Sequence, residues 1–469
     1  MKTLPILHRD QFRLWAVRNL QPLIFLAAYF FTLVVGNLLY ATSQGGEVLE
    51  TAGYSRGVLE FSEIFSAGYW ILMLMPFVVT PLIVMLVRRL SSGHLSRLAD
   101  KLPEFTRMDY LVLTMLCYAF LIYSAWHGGI FSVIGSGTDA RSSVQTRFLI
   151  LGQLGFPARI VLMSLLNYLT FYALIRWLRN HGLFWVAATI VNTLLMAISL
   201  TLLNMKWPIL IFDIGLVLTI FVYAEKNVYF KVAIGAALVL MSYWAISNYV
   251  FRAVVVMKPT GVVETPVVNL PVPDVVGTPA APTITLPPPV LQPTLADRVE
   301  HAYQIGRVLA FSAFNRMAIA YPYYYQIFTT EGRVCGGLLE QAHVGPACRP
   351  STYIYTRIFG KDGFEGRGTS PAAVHISAYS LGGWPLAITA LLAASVILGL
   401  FASLPFDSSA TVGAFSIVGA LAGYHFSQLP GEGPLLYDHG VIWTVVMLAV
   451  YAAWRFMSAR ITRSPVQNA

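Results

Sequence analysis

The chain has 469 residues, of which 57% are hydrophobic and only 11% are charged. Soluble proteins carry about a quarter charged residues, so this composition excludes an ordinary soluble enzyme. The formal net charge is +9, but most of the basic excess follows a membrane topology and does not indicate a nucleic-acid partner.

Apolar runs of about 20 residues, each long enough to cross roughly 30 Å of hydrocarbon, recur along the chain. They predict ten transmembrane helices, near residues 20–42, 66–87, 109–127, 156–175, 183–203, 208–224, 232–255, 376–404, 411–428 and 439–455. The first run is longer than a signal-peptide core of roughly 7–15 residues, and we interpret it as a retained helix. The sequence therefore predicts an all-α polytopic membrane protein.

The basic residues predict the orientation of these helices. If the N-terminus is cytoplasmic, the inside segments hold clusters such as Arg88/Arg89, Arg176/Arg179 and Arg455/Arg460. The short outside loops 43–65 and 429–438 hold only Arg56 between them. Because cytoplasmic loops carry an excess of Lys and Arg, we expect both termini in the cytoplasm.

One outside segment is much longer than the others. It divides the chain into helices one to seven (1–256), a large periplasmic loop (257–373), and helices eight to ten with the tail (374–469). The loop opens with a proline-dense stretch, which predicts an extended strap because proline fixes φ and lacks an N–H. Thr294 and Asp297 then give a loose capping signal, and small residues at helical spacing predict a helix that ends near Pro322.

Two of the three cysteines, Cys335 and Cys348, fall in this loop. An oxidising compartment would pair them, so we expect a disulfide. A metal site is a weaker interpretation because His343 is the only nearby third ligand. Cys117 lies within a predicted span and is typical of core packing.

The outside segments also carry basic residues that the topology rule does not explain. An anionic headgroup bound by several of them would account for the set, because the Arg fork matches phosphate oxygens. Taken singly, each is equally explained by contact with lipid phosphates or with loop acids. The set comprises Arg141, Arg147, Lys206, Arg298, Arg307, Arg316, Arg333, Arg349, Arg357, Lys361 and Arg367.

Two further features have open interpretations. Asp213 lies well inside a predicted span, which makes it a functional candidate, although Lys206 on the same helix face offers it a structural contact. The tyrosines of the stretch "YPYYYQ" are typical of an interfacial belt, and one or two of them would serve equally well in a glycan groove. The sequence contains no Gly-rich phosphate loop and no HExxH motif.

Together these features resemble Wzy-type oligosaccharide repeat-unit polymerases, which are related in architecture to O-antigen ligases. Such polymerases carry an arginine and a glycine with ten residues between them in two periplasmic loops. Arg141 and Gly152 match the first pair here, and Arg357 and Gly368 match the second. The segment "AVHISAYSLGGWPLA" resembles the histidine-led, glycine-ended stretch that returns the large loop of these enzymes to the membrane.

The resemblance implies a GT-C-like fold and glycosyl transfer between undecaprenyl-pyrophosphate-linked glycans at the periplasmic face of the bacterial inner membrane. It implies no cofactor and no metal, and a chain-length regulator as a possible partner. Arg141 and Arg316 are expected to hold the diphosphate, and His375 to act as the base, because imidazole titrates near neutral pH. The alternative for His375 is a structural histidine at a helix start, hydrogen-bonded to the loop. The further expected substrate-binding residues are Arg147, Lys206, Arg307, Arg357, Tyr324 and Tyr379.

Two alternatives remain. A metal-dependent lipid-linked-sugar glycosyltransferase would use the acidic first external loop, where Glu47, Glu50, Glu60 and Glu63 lie. A transporter or flippase of lipid-linked glycan would be expected to show broken helices, several mid-membrane charges or an inverted repeat. Only Asp213 meets the second criterion, and no inverted repeat is evident in the sequence.

Overall fold

The computed structural model describes residues 11–42, 64–133, 140–202, 206–245, 303, 318–337, 348–359, 368–428 and 441–461. These residues are predominantly helical, and no β-strand occurs among them. The all-α class is thereby confirmed for the described part of the chain. The acidic first external loop, the proline-rich strap and nearly all of the helix expected after Thr294 lie outside it.

Helices occupy all ten positions at which the sequence predicts membrane spans. In chain order they are α1 Gln11–Arg18, α2 Leu20–Tyr29, α3 Val35–Tyr40, α4 Ala67–Ala99, α5 Arg107–His127, α6 Ile130–Val133, α7 Ala140–Ile160, α8 Leu166–Asn180, α9 Leu183–Leu202, α10 Lys206–Tyr223, α11 Val228–Ala245, α12 Ala320–Thr330, α13 Pro350–Phe359, α14 Val374–Ala402, α15 Ala410–Ser427 and α16 Val441–Ile461. Single π-helical turns at Phe30–Val34 and Val161–Leu165 join α2 to α3 and α7 to α8.

Seven helical stretches are long and apolar enough to cross a membrane. They are Leu20–Tyr40, Ala67–Ala99, Arg107–His127, Leu149–Asn180, Leu183–Thr201, Val374–Ala402 and Val441–Ser458. Shorter apolar helices occur at Pro208–Tyr223 and Val228–Leu238. The protein is therefore a membrane-embedded helical bundle with seven candidate spans among the described residues.

Helix α15 lies at the centre of this bundle. It contacts α2, α8, α10, α14 and α16, and every residue in it except Phe415 is buried. The helix is rich in Gly, Ala and Ser, and such small residues let neighbouring helix backbones approach closely. Close packing around α15 therefore holds the first and second halves of the chain together.

Polar side chains tie the helix ends at one end of the bundle. The buried guanidinium of Arg13 donates to the carbonyl oxygens of Phe221, Val222 and Ala224 at the end of α10, at distances of 2.8–2.9 Å. Such contacts satisfy the last carbonyls of a helix and complement its dipole. Glu104 similarly accepts from Arg176 and from the backbone N–H of Ala410 at the start of α15.

Helix α12 corrects two expectations from the sequence. Pro322 does not end the helical pattern there, because it lies in the first turn of α12, where its missing N–H costs no hydrogen bond. The interfacial-belt interpretation is wrong for Tyr321, Tyr323 and Tyr324, which are at most 1% exposed. They pack instead in a core formed by α2, α3, α4, α12, α13 and the start of α14.

Candidate functional site

Helix α14 is broken soon after its start. Gly383 has φ 65° and ψ −156°, a conformation that non-glycine residues rarely adopt. Pro385 lacks an N–H, so the carbonyl of Leu381 receives no helical hydrogen bond from it. In membrane proteins, interrupted helices of this kind are tolerated where the backbone is buried in protein or lines a cavity.

The same local sequence breaks a second helix. In α7, Gly155 has φ 75° and ψ 163°, and Pro157 follows two residues later. Both breaks have a glycine, an aromatic residue and a proline in succession, namely Gly155–Phe156–Pro157 and Gly383–Trp384–Pro385. This shared tripeptide is a signal that our sequence analysis missed.

A groove of about 320 Å³ lies beside the break in α14. It is lined by Arg333, Gly336, Leu381, Gly382, Pro385, Leu386 and Thr389. Arg333 is exposed, and no carboxylate among the described residues lies within 4.0 Å of it to form a salt bridge. Within the described part of the chain, the groove therefore combines an arginine that forms no salt bridge with a helical backbone that is interrupted by proline.

An aromatic cluster stands next to this groove. The rings of Tyr325 and Tyr379 are stacked with centroids 6.2 Å apart, and Trp384 meets Tyr379 edge-on at 5.7 Å. The Tyr379 hydroxyl is 2.9 Å from Oγ1 of Thr329, and the Tyr325 hydroxyl is 2.7 Å from Oγ of Ser66. Tyr325 and Trp384 are partly exposed, so the cluster presents both aromatic faces and hydroxyl groups.

A disulfide lies next to the groove. Cys335 and Cys348 are bonded with a Cα–Cα distance of 5.6 Å, which confirms the pairing expected from the sequence. The bond spans a sequence separation of 13 residues. It ties the backbone beside Arg333 and Gly336, which line the groove, to the start of α13.

We expect replacement of both cysteines by serine to destabilise the protein by about 3 kcal/mol, because the unfolded chain regains the entropy of an open loop of this size. The measurement is the midpoint of thermal unfolding in detergent, with the unchanged protein under reducing conditions as the comparison. An unchanged midpoint in the double variant would contradict the expectation.

Two of the expected substrate-binding residues have partners within the protein. Arg357 forms an exposed salt bridge with Glu331 at 2.7 Å, and the neighbouring Tyr353 hydroxyl, together with that carboxylate, raises the pKa of Arg357. Tyr324 is fully buried and its hydroxyl donates to the carbonyl of Ser370 at 3.3 Å. These contacts agree with the structural alternative for Arg357, and a role in substrate binding stays a prediction for both residues.

His375 is fully buried at the start of α14. Its Nε2 is 3.2 Å from the carbonyl oxygen of Leu72 in α4 and 3.4 Å from the Tyr29 hydroxyl. Pro76 is the residue whose N–H would bond the Leu72 carbonyl in a regular helix, and proline has none. His375 therefore satisfies a carbonyl that Pro76 leaves open, and its Nδ1 has no hydrogen-bond partner among the described residues.

The structure does not describe the side chains of the other basic residues predicted to bind the diphosphate or substrate. Arg307 and Arg316 lie outside the described residues. Arg141 and Arg147 lie in the helical backbone of α7, and Lys206 begins α10, but their side chains fall outside the described part. The predicted diphosphate site that combines them therefore stays a prediction.

Carboxylates do not form a metal site in the described ranges, where no group of three or more His, Cys, Asp or Glu residues is close enough to hold an ion. Glu47, Glu50, Glu60 and Glu63 lie outside those ranges. Asp213 in α10 has a buried Oδ2 without a hydrogen-bond partner in the described part of the chain. It does not line the groove beside α14.

Comparisons with known proteins do not assign the chain to a family: no protein-family model, curated protein or solved structure matches it.

Proposed function

We propose that the protein is a membrane glycosyltransferase that joins undecaprenyl-pyrophosphate-linked oligosaccharide units at the periplasmic face of the inner membrane. Both termini are cytoplasmic in this proposal, which follows from the distribution of basic residues. The groove beside the break in α14 then opens near the periplasmic end of the bundle.

The observation that carries the proposal is the combination of Arg333, the broken helix and the aromatic cluster at one place. Glycosyl transfer from a pyrophosphate-linked donor needs positive charge where the leaving group gains negative charge. Arg333 supplies such a charge in the groove. Tyr325, Tyr379 and Trp384 supply ring faces and hydroxyl groups that suit a sugar chain.

The reaction forms one bond and breaks one bond at the donor's anomeric carbon. A hydroxyl of the acceptor sugar attacks that carbon, and the bond to the pyrophosphate oxygen breaks, which releases undecaprenyl pyrophosphate. A base takes the hydroxyl proton. Arg333, Arg141 and Arg316 are the proposed partners of the pyrophosphate. His375 is the proposed base, since its Nδ1 has no hydrogen-bond partner among the residues that the structure describes.

We expect Arg333→Gln to lower the rate of polymer formation by about tenfold to a hundredfold, because a charge-assisted contact to the leaving group is lost. The assay uses purified protein in liposomes with a lipid-linked oligosaccharide, and gel electrophoresis measures product length. Arg349→Gln is the matched control, because Arg349 is an exposed arginine near the same disulfide that does not line the groove. Equal rates for the two variants would remove Arg333 from the site.

A transporter or flippase of lipid-linked glycan is the second candidate, and the breaks in α7 and α14 favour it. Discontinuous helices frequently form the substrate sites of secondary transporters. The same liposome assay separates the two functions: a polymerase lengthens the glycan, whereas a flippase moves the lipid-linked unit across the bilayer and leaves its length unchanged.

A further inference from the structure

A second cavity lies at the other end of α14, away from the proposed glycosyl-transfer site. It has a volume of about 330 Å³. Its lining begins near Phe401, sixteen residues after Pro385, which corresponds to about 24 Å along a helix. The α1–α2 junction, α4, the segment after α14 and Ser416 of α15 form its walls.

Two arginines line this cavity, and neither forms a salt bridge with a carboxylate of the described residues. Arg88 donates to the Oδ1 of Asn19 at 2.9 Å, and Asn19 is oriented in turn by its own bond to the Trp15 carbonyl at 2.8 Å. Arg18 is exposed at the cavity. Asn19 is a neutral acceptor, so it positions Arg88 and leaves its positive charge available.

The cavity also contains hydrogen-bond acceptors, at Asp407 and Gln21. Asp407 lines the wall and forms no salt bridge within the described ranges. The amide nitrogen of Gln21 donates to the Ser416 carbonyl at 3.1 Å, which fixes the amide orientation because a carbonyl oxygen can only accept. Gln21 Oε1 is thereby left without a donor from any described residue. The cavity thus offers two positive charges for an anion and unused acceptors for a donor group.

The remaining wall is apolar. Leu14, Val17, Phe401, Leu404 and Phe406 line the cavity together with the polar groups. A phosphate ester with an attached hydrocarbon chain fits this combination, because the arginines take the phosphate and the apolar wall takes the start of the chain. A soluble phosphate ester would use only the polar half.

We propose that this cavity binds a phosphate ester that also carries a hydrogen-bond donor, such as a glycerol hydroxyl. Arg18 and Arg88 hold the phosphate, and Asp407 accepts from the donor. The chemistry is that of a phospholipid headgroup or of a soluble glycerol phosphate. The site is separate from the proposed glycosyl-transfer groove and does not depend on that function.

The test is isothermal titration calorimetry on the full-length protein in neutral detergent. We expect dihexanoyl phosphatidylglycerol to bind, and Arg18→Gln and Arg88→Gln each to weaken its binding about tenfold or more, as expected for loss of a charge-assisted hydrogen bond. Arg89→Gln is the matched control, since Arg89 is the exposed next residue and does not line the cavity. It should bind like the unchanged protein.

Two further titrations define the ligand. Dihexanoyl phosphatidylmethanol has the same charge and chains but no hydroxyl. It should bind more weakly than phosphatidylglycerol to the unchanged protein, but the two should bind equally to Asp407→Ala, which has no side-chain acceptor. Binding of glycerol 3-phosphate with equal affinity would assign the site to a soluble ester, and binding of the lipid alone would assign it to a headgroup.

The proposal is overturned if neither phosphate ester binds, or if Arg18→Gln and Arg88→Gln bind as Arg89→Gln does. Arg18 is exposed and its substitution is not expected to affect folding. If Arg88→Gln proves unstable, the affinity of Arg18→Gln for phosphatidylglycerol alone tests whether the cavity binds the phosphate. Polymer formation plays no part in the readout, so failure here leaves the proposed glycosyl transfer untouched.

Discussion

The Gly423→Leu variant is expected to lose at least about 4 kcal/mol of unfolding free energy, or to fail to accumulate as a folded protein. Gly423 lies in the central helix α15, where α2 passes so closely that a Cβ atom would lie 2.7 Å from the carbonyl oxygen of Gln21. The same atom would lie 3.3 Å from the Leu398 side chain. A backbone oxygen cannot turn aside as a side chain can, so α2 would have to move.

The matched control is Gly152→Leu. Gly152 is also a helical glycine, but a Cβ atom there would meet no atom of the described residues within 4 Å. Leucine is the better helix former by about 1 kcal/mol, so this variant should be neutral or slightly stabilised. Equilibrium unfolding in mixed micelles of mild detergent and dodecyl sulfate measures both. Similar free energies for the two variants would show that the α2–α15 contact is looser than described.

The second large effect is expected at His375. We expect His375→Ala to lose about 3 kcal/mol, because the fully buried ring leaves a cavity and the Leu72 carbonyl loses its hydrogen bond. His375→Gln keeps an N–H donor and should lose less. The unfolding free energy of each variant is measured as for Gly423.

A double-mutant cycle tests the cause directly. Pro76→Ala restores an N–H that can bond the Leu72 carbonyl within α4, so His375→Ala should then cost less, by about 1 kcal/mol. Additive effects of the two substitutions would contradict the link between Pro76 and His375. The Tyr29 hydroxyl, which donates to the Met73 carbonyl at 2.9 Å, is present in all members of the cycle.

The same variants separate stability from catalysis in the proposed polymerase. If His375 is the base, a stably folded His375→Gln protein forms no polymer, because an amide does not accept the proton. If its role is only to satisfy the Leu72 carbonyl, His375→Gln retains most of the rate. Loss of activity at unchanged stability is therefore the outcome that assigns the base.

The sequence was sufficient to locate the long apolar helices, but not the loop helices α12 and α13. An apolar run of about 20 residues has few stable alternatives in a membrane, because a helix satisfies its backbone groups within the segment itself. Helices accordingly occupy all ten predicted positions, of which seven meet the criterion for a span. The Cys335–Cys348 pairing was equally accessible, because only two cysteines lie in the large loop.

The sequence also contained a local signal that hydropathy does not report. The two Gly–aromatic–Pro tripeptides lie within stretches that are apolar enough on average to span a membrane, yet both interrupt a helix. Glycine permits the positive φ, and proline removes the N–H that would continue the hydrogen-bond ladder. A search for this combination would have placed both breaks.

Contacts between distant residues were decided only by the tertiary structure. His375 lies 303 positions from Leu72. A local sequence pattern cannot predict that this imidazole bonds the Leu72 carbonyl, which has no helical N–H partner because residue 76 is proline. Tyrosine is typical of interfacial belts, but Tyr321, Tyr323 and Tyr324 lie in the core. In a membrane protein apolar surface faces both lipid and protein, so hydropathy shows that a residue is embedded, and only helix packing decides which of the two it faces.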